Sequence, residues 1–190
     1  MYRMRKDEHM MSGLYDLVEY VNLPYESVIV ELGSYRGEST EVWAKHYQDV
    51  TAIDPWSFIV TPSTMLDFMN NIQQHKEDID WENLSTIFTD VEKSFDERME
   101  PYSVTKLKMN SEDAVHIFDD GTIDLIYIDA MHDYPTVNRD IDSWKDKVKP
   151  GGFISGHDYA DRWPGVIHAV EEHFGKPDAV FSDTSWVVSN

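Results

Sequence analysis

The chain has no cysteine among its 190 residues. That excludes a disulfide framework, a thiolate nucleophile and any Cys-ligated zinc or iron–sulfur centre, and leaves Asp, Glu and His as the charged candidates for holding a metal. Basic residues are scarce: 16 Lys and Arg stand against 36 Asp and Glu, a formal charge of −20. Such a surface repels phosphate backbones and anionic lipid headgroups, so nucleic acid and membrane are disfavoured and a small molecule is the expected partner. No run is long and apolar enough to span a bilayer. The opening residues, MYRMRKDEHMM, are followed by neither an apolar signal core nor a small-residue cleavage site, so a cytoplasmic protein is expected.

What is present is 41% apolar content over 190 residues, which suits a single domain covering 1–190 with a proper core. MSGLYDLVEYVNLP places Leu14, Leu17, Val18 and Val21 at helical spacing and stops at Pro24, predicting a helical cover over residues 1–26. VIVEL, VTAID, VTKLKM, IDLIYID and GGFISG are short apolar runs that alternate with the helical patterns STEVWAKHY, YPTVNRDIDSWKDKV and VIHAVEEHF. This alternation predicts an α/β fold with a mostly parallel central sheet and crossover helices. DAVFSD and TSWVVSN predict a C-terminal antiparallel hairpin at the sheet edge. KPGG reads as a helix stop with a turn. Residues 57–100 break the rhythm as a polar insertion, expected to be a substrate lid if it lies over the carboxyl ends of the strands.

VIVELGSYRGEST, residues 28–40, runs from a buried strand through a glycine turn into a helix. Such a turn sets backbone N–H groups and a positive helix end beside a bound anion, and Gly33 permits close backbone approach. The spacing Gly33-x-x-x-Gly37 does not match the dinucleotide fingerprint, and Tyr35 stands where a pyrophosphate needs bare backbone. A single carboxylate fits better than NAD. Asp54, about 20 residues on at the end of TAID, is placed to accept hydrogen bonds from both hydroxyls of a ribose. Taken alone, Asp54 reads equally well as an ordinary turn former before Pro55; paired with the Gly33 turn, it reads as a ribose acceptor.

IDLIYIDAMHDY and KVKPGGFISGHDY each carry a buried strand into acids and a histidine. Asp129, His132, Asp133, His157 and Asp158 are thereby expected on one rim. Buried charges are costly unless paired or metal-bound, so two aspartates delivered by neighbouring strands suggest a divalent cation, Mg²⁺, Mn²⁺ or Ca²⁺; solvated turn residues are the alternative. His9, His46, His75, His116, His168 and His173 have no comparable cluster and receive no role. Trp56, Phe58, Trp81 and Phe88 offer rings for stacking on an acceptor, although aromatics in an amphipathic segment are more often core.

Together these motifs resemble the class I S-adenosylmethionine-dependent methyltransferases, and within them the cation-dependent small-molecule O-methyltransferases. The likeness runs over residues 28–175. ELGSYRGES is similar to the glycine turn of the catechol O-methyltransferases; IDAMHDY, KPGG and GHDY are closer still to the macrolide-sugar and aminocoumarin-sugar O-methyltransferases. The resemblance implies a Rossmann-like fold with helices on both faces of the sheet. It assigns Glu31, Gly33, Ser34, Tyr35, Gly37 and Ser39 to the methionine end of the cofactor, Asp54 to its ribose and Ser111 and Glu112 to its adenine, and counts Asp129 among the cofactor-binding residues. Asp129 and Asp158 become metal ligands for Mg²⁺ or Mn²⁺. His157 falls where the catechol enzymes carry a further acidic ligand, so it either ligates through a ring nitrogen or leaves the site one ligand short. His132 falls on the position of a catalytic lysine. An unperturbed imidazole, pKa ~6.5, suits a hydroxyl proton.

The implied reaction is methyl transfer to an oxygen of a hydroxylated small molecule, a sugar or polyphenol, with His132 and Asp129 catalytic. Two alternatives stay open: a metal-free N- or carboxyl-methyltransferase of the same fold, and a non-catalytic nucleoside-binding or assembly protein. A homo-oligomer is compatible with the sequence.

Overall fold

The computed structural model describes residues 11–57 and 84–190, with Leu84 to Phe88 described by backbone only. Its elements run α1 (Ser12–Val21), β1 (Val28–Leu32), α2 (Glu38–His46), β2 (Asp49–Asp54), α3 (Leu84–Met99), β3 (Val104–Lys108), α4 (Ser111–Ala114), β4 (Ile123–Ile128), α5 (Tyr134–Trp144), β5 (Val148–Gly156), α6 (Pro164–Phe174), β6 (Ala179–Val180) and β7 (Trp186–Ser189). His9, Phe58, His75, Trp81 and residues 58–83 of the expected insertion lie outside the described residues.

One seven-stranded sheet has the order β3-β2-β1-β4-β5-β7-β6. Strands β1 to β5 are parallel, whereas β7 pairs antiparallel with both β5 and β6, which is the hairpin the sequence predicts. The order reverses between β1 and β4. In a doubly wound sheet that reversal opens a crevice at the carboxyl ends of the two strands, because their connections leave in opposite directions.

Side chains alternate across the sheet and each face has its own core. Val30, Leu32, Ile126 and Ile128 face α5 and α6, packing on Val137, Ile141, Trp144, Val166 and Val170. Their neighbours Ile29, Leu125 and Tyr127 face the opposite way, onto Leu14, Leu17, Val18 and Val21 of α1 and Val42 and Trp43 of α2. This is the period-two pattern of strands buried on both sides. Each fully buried large apolar side chain contributes about 1.5 to 3 kcal/mol. The core is therefore what holds the strand ends in register. α1 takes the covering position its spacing predicts.

Two features depart from expectation. Leu84–Met99, inside the segment read as a polar insertion, is the crossover helix between β2 and β3, and its Val91, Phe95 and Met99 pack with Ala52 and Trp56. Trp56 is 3% exposed and belongs to that core, so it does not offer a stacking face. KPGG is not a turn after a helix: α5 ends at Trp144, and Lys149 to Gly152 form the first half of β5. The register against β4 breaks between Ile123 and Leu125, and Gly151 takes φ +82° there. This bulge absorbs the extra residues on β5. Among the described residues, no helix is long and apolar enough to cross a membrane.

Candidate active site

The crevice begins at the glycine turn. Gly33 has φ +87°, a region that L side chains rarely adopt, and its N–H donates to Ile53 O at 2.8 Å. A Cβ at this position would collide with the Asp129 carbonyl oxygen and come within 2.6 Å of Ala130 Cα. The β1 and β4 loops therefore meet backbone to backbone at the switch point. Gly37, φ +80°, starts α2, and its N–H closes a turn onto Ser34 O at 2.7 Å.

Below the turn lies Glu31, fully buried on β1. Thr40 donates its hydroxyl to Glu31 Oε2. Glu31 Oε1 and the Ser34 hydroxyl are buried, and neither makes a hydrogen bond of good geometry. Burial pushes the Glu31 carboxyl up to about 7, against the hydroxyls of Ser39, Thr40 and Ser34 around it, and the charge of Asp129 adds to the rise. The sign of the consequence is fixed. An unfolded chain ionises this group near 4.5 whereas the folded chain holds the proton to about 7, so stability is full below the lower value and falls as pH rises through that window. Glu31→Gln should flatten this part of the profile, which urea denaturation of both proteins between those pH values will read. Equal slopes would show that the group is ionised in the fold.

Asp54 ties the turn to the end of β2. Its Oδ2 accepts from Tyr35 N–H at 3.0 Å and its Oδ1 from Trp56 N–H at 2.6 Å, while Trp56 Nε1 donates to Tyr35 O at 2.8 Å. Tyr35 (φ +45°) and Trp56 (φ +41°) both take left-handed backbone to do this. Burial raises the Asp54 pKa, opposed by those two N–H groups. Each carboxylate oxygen has two acceptor sites, so these bonds leave capacity for hydroxyls of a bound ribose.

On the β3 side, Ser111 donates its hydroxyl to Asp140 Oδ1 at 2.7 Å, and Glu112 pairs with Arg139 Nε at 2.6 Å. Asp140 is 2% exposed, and burial pushes its pKa up to about 6 against the Ser111 hydroxyl.

On the β4 and β5 side the acids and histidines form one group. Asp129, His132 and Asp158 offer ligand atoms that all lie within 4.8 Å of one another. His132 Nε2 stands 2.7 Å from Asp158 Oδ2; His157 Nδ1 stands 3.2 Å from Asp158 Oδ1 and 3.6 Å from Asp129 Oδ1. Asp158 thus gives one oxygen to each histidine. Burial works to raise its pKa, but the two histidines outweigh it and hold the carboxyl well below the usual range. Its own φ is +62°, and Trp163 stacks on the His132 ring at 4.2 Å between centroids. A small pocket here is lined by Asp129, His132 and His157 together with the apolar Ile128, Val137 and Val166. Asp133 is elsewhere engaged, capping α5 through Thr136 N–H and hydroxyl.

The predicted site residues therefore lie along the carboxyl ends of five adjacent strands: Ser111 after β3, Asp54 on β2, Gly33 after β1, Asp129 after β4, His157 and Asp158 after β5. Thr40, Asp140 and Trp163 escaped the sequence reading. Each acts on a predicted residue through a contact between distant elements or across a helix turn, and nothing in the local pattern marks it.

A family model described as Methyltransferase domain matches residues 30–159. No curated protein matches the chain. Among solved structures, the O-methyltransferase NovP superposes with a TM-score of 0.60 at 17% identity, over 96% of this chain and 78% of that one. The tRNA methyltransferase TrmI from Aquifex aeolicus gives 0.60 at 12% identity, over 98% of this chain and 71% of that one. The YcgJ protein from Bacillus subtilis gives 0.51 at 14% identity over 76% of this chain, which spans about half of that protein's length, 49%. At these identities the structural likeness is one of fold.

Proposed function

The chain belongs to the methyltransferase-domain family, whose methyl donor is S-adenosylmethionine, and we propose that it carries the methyl group to a hydroxyl oxygen of a small molecule, a sugar or polyphenol, with a divalent cation, Mg²⁺ or Mn²⁺, at the acceptor. The observation that carries this reading is the meeting of Asp129, His132, His157 and Asp158 directly beside the Gly33 turn.

The donor's fit rests on this chain's own groups. Glu31 Oε1 and the Ser34 hydroxyl are orphaned polar atoms at the turn, suited to the ammonium and carboxylate of a methionine end. Asp54 holds the turn and has acceptor capacity for the ribose. Ser111 and Glu112 stand at the adenine end, with Asp140 fixing the Ser111 hydroxyl. The cation's fit rests on spacing. Donors at adjacent corners of an octahedral ion with bonds of about 2.1 Å stand about 3 Å apart. The gaps of 3.2 and 3.6 Å about His157 Nδ1 are near that value. When bound, a cation there lowers the pKa of the acceptor hydroxyl and a sulfonium methyl supplies the electrophile.

His132 serves as the base. With Nε2–H donated to Asp158, the neutral ring carries its lone pair on Nδ1, and Asp158 both fixes that tautomer and stabilises the imidazolium formed when the hydroxyl proton arrives. Asp129 and Asp158 balance the charge. Alignment of acceptor oxygen, methyl carbon and sulfur by the two halves of the crevice supplies the rest. The −20 charge supports a small-molecule acceptor over a nucleic acid.

A second reading is metal-free transfer to nitrogen or a carboxylate. The His132–Asp158 contact favours it, since that dyad is a complete base without a cation.

Asp54→Ala tests the cofactor half. Titration calorimetry with S-adenosylhomocysteine should show affinity weakened by about 1 to 3 kcal/mol, the value of charge-assisted hydrogen bonds lost to the ribose. Unchanged affinity would remove Asp54 from the cofactor site.

A further inference from the structure

Two carboxylates and an imidazole are a different donor set from three oxygens. We infer that the cation site takes a first-row transition ion in preference to Mg²⁺, and that His157 is the residue that sets this choice. The inference rests on the cation reading above and narrows it, of the two ions named there, to Mn²⁺ and its transition-metal neighbours.

His157 is built into the site. Its N–H continues the β4–β5 ladder, donating to Ile128 O at 3.0 Å, so the backbone fixes where the ring begins. The side chain is only 9% exposed, and Nδ1 lies between Asp158 Oδ1 and Asp129 Oδ1. That nitrogen is therefore delivered between the two carboxylates that any cation here would use.

Ligand chemistry then decides the ion. Mg²⁺ is small and hard, prefers oxygen donors in near-ideal octahedral geometry and retains several waters. Imidazole nitrogen suits first-row transition ions such as Fe²⁺, Ni²⁺, Cu²⁺ and Zn²⁺, and affinity within that series rises from Mn²⁺ upward. Exchanging a carboxylate for an imidazole also removes one negative charge, and with it attraction that a hard ion needs more than a softer one. The pocket that Asp129 and His157 share is lined in part by the apolar Ile128, Val137 and Val166, which offer retained waters no hydrogen-bond partner.

The test uses the whole chain, freed of metal by chelation and dialysis, and Mn²⁺ as the probe. Paramagnetic resonance of the free aquo ion gives the Mn²⁺ affinity, and Mg²⁺ is then added in competition. Mg²⁺ should displace Mn²⁺ only at about hundredfold excess or more. Pulsed resonance of bound Mn²⁺ should show coupling to a nitrogen nucleus that persists in His132→Ala and is lost in His157→Asp. His157→Asp should also narrow the Mn²⁺ over Mg²⁺ preference by about tenfold or more. Displacement by Mg²⁺ at comparable concentration, or bound Mn²⁺ without nitrogen coupling in the unmodified chain, would overturn the inference while leaving a cation-assisted reaction standing. Failure of the unmodified chain to bind either ion would overturn both.

Discussion

Asp129→Asn should depress methyl transfer to a hydroxyl acceptor by about 10²-fold or more while S-adenosylhomocysteine affinity stays within about threefold. The substitution keeps the volume and removes the charge. In the fold, the Asp129 carboxylate stands 3.6 Å from His157 Nδ1, and its backbone, which meets Gly33, is untouched by the change. An effect on turnover alone therefore locates Asp129 at the acceptor. Steady-state rates and calorimetry on the same preparation separate the two. If cofactor affinity and folding fall together, the carboxylate is a structural partner of the β1–β4 contact, and its catalytic assignment is wrong.

His132→Ala should lower turnover by about 10²- to 10⁴-fold, the usual contribution of a positioned general base. The residual rate should climb with pH, because hydroxide in solution takes over proton removal from the acceptor. The methyl donor should bind as before, since His132 is held on the β5 side by Asp158 and Trp163. A pH profile with the same shape as the unmodified enzyme's would assign His132 to holding Asp158 and Trp163 together, and would pass the base role to another group.

Much of the fold was legible because its determinants are local. Strands buried on two faces read as apolar runs, and the helices between them read by spacing, so β1 to β5 and the hairpin follow from the sequence alone. KPGG was misread because a Pro-Gly-Gly tract is ordinarily a turn; only the pairing with β4 shows that the bulge is accommodated inside a strand. The helix Leu84–Met99 was hidden by its charged outer face, although Val91, Phe95 and Met99 recur at helical spacing. In the site, Asp129, His132, His157 and Asp158 were readable as a group because a parallel sheet delivers consecutive strand ends to one rim. How they pair was not readable. That Asp158 divides its oxygens between two histidines, that Trp163 backs one of them, and that Asp140 holds Ser111 depend on loop and helix positions that no residue pattern encodes.

The central claim is that a cation assists transfer from S-adenosylmethionine to oxygen. Its most direct test is mass spectrometry of a panel of hydroxylated sugars and polyphenols incubated with the enzyme and methyl-deuterated S-adenosylmethionine, in excess chelator and again after Mn²⁺ is restored. The account predicts deuterated methyl on an acceptor oxygen only when the metal is present, with none in chelator. Equal labelling of oxygen in excess chelator, or label found only on nitrogen or carboxylate acceptors added to the same panel, would contradict it.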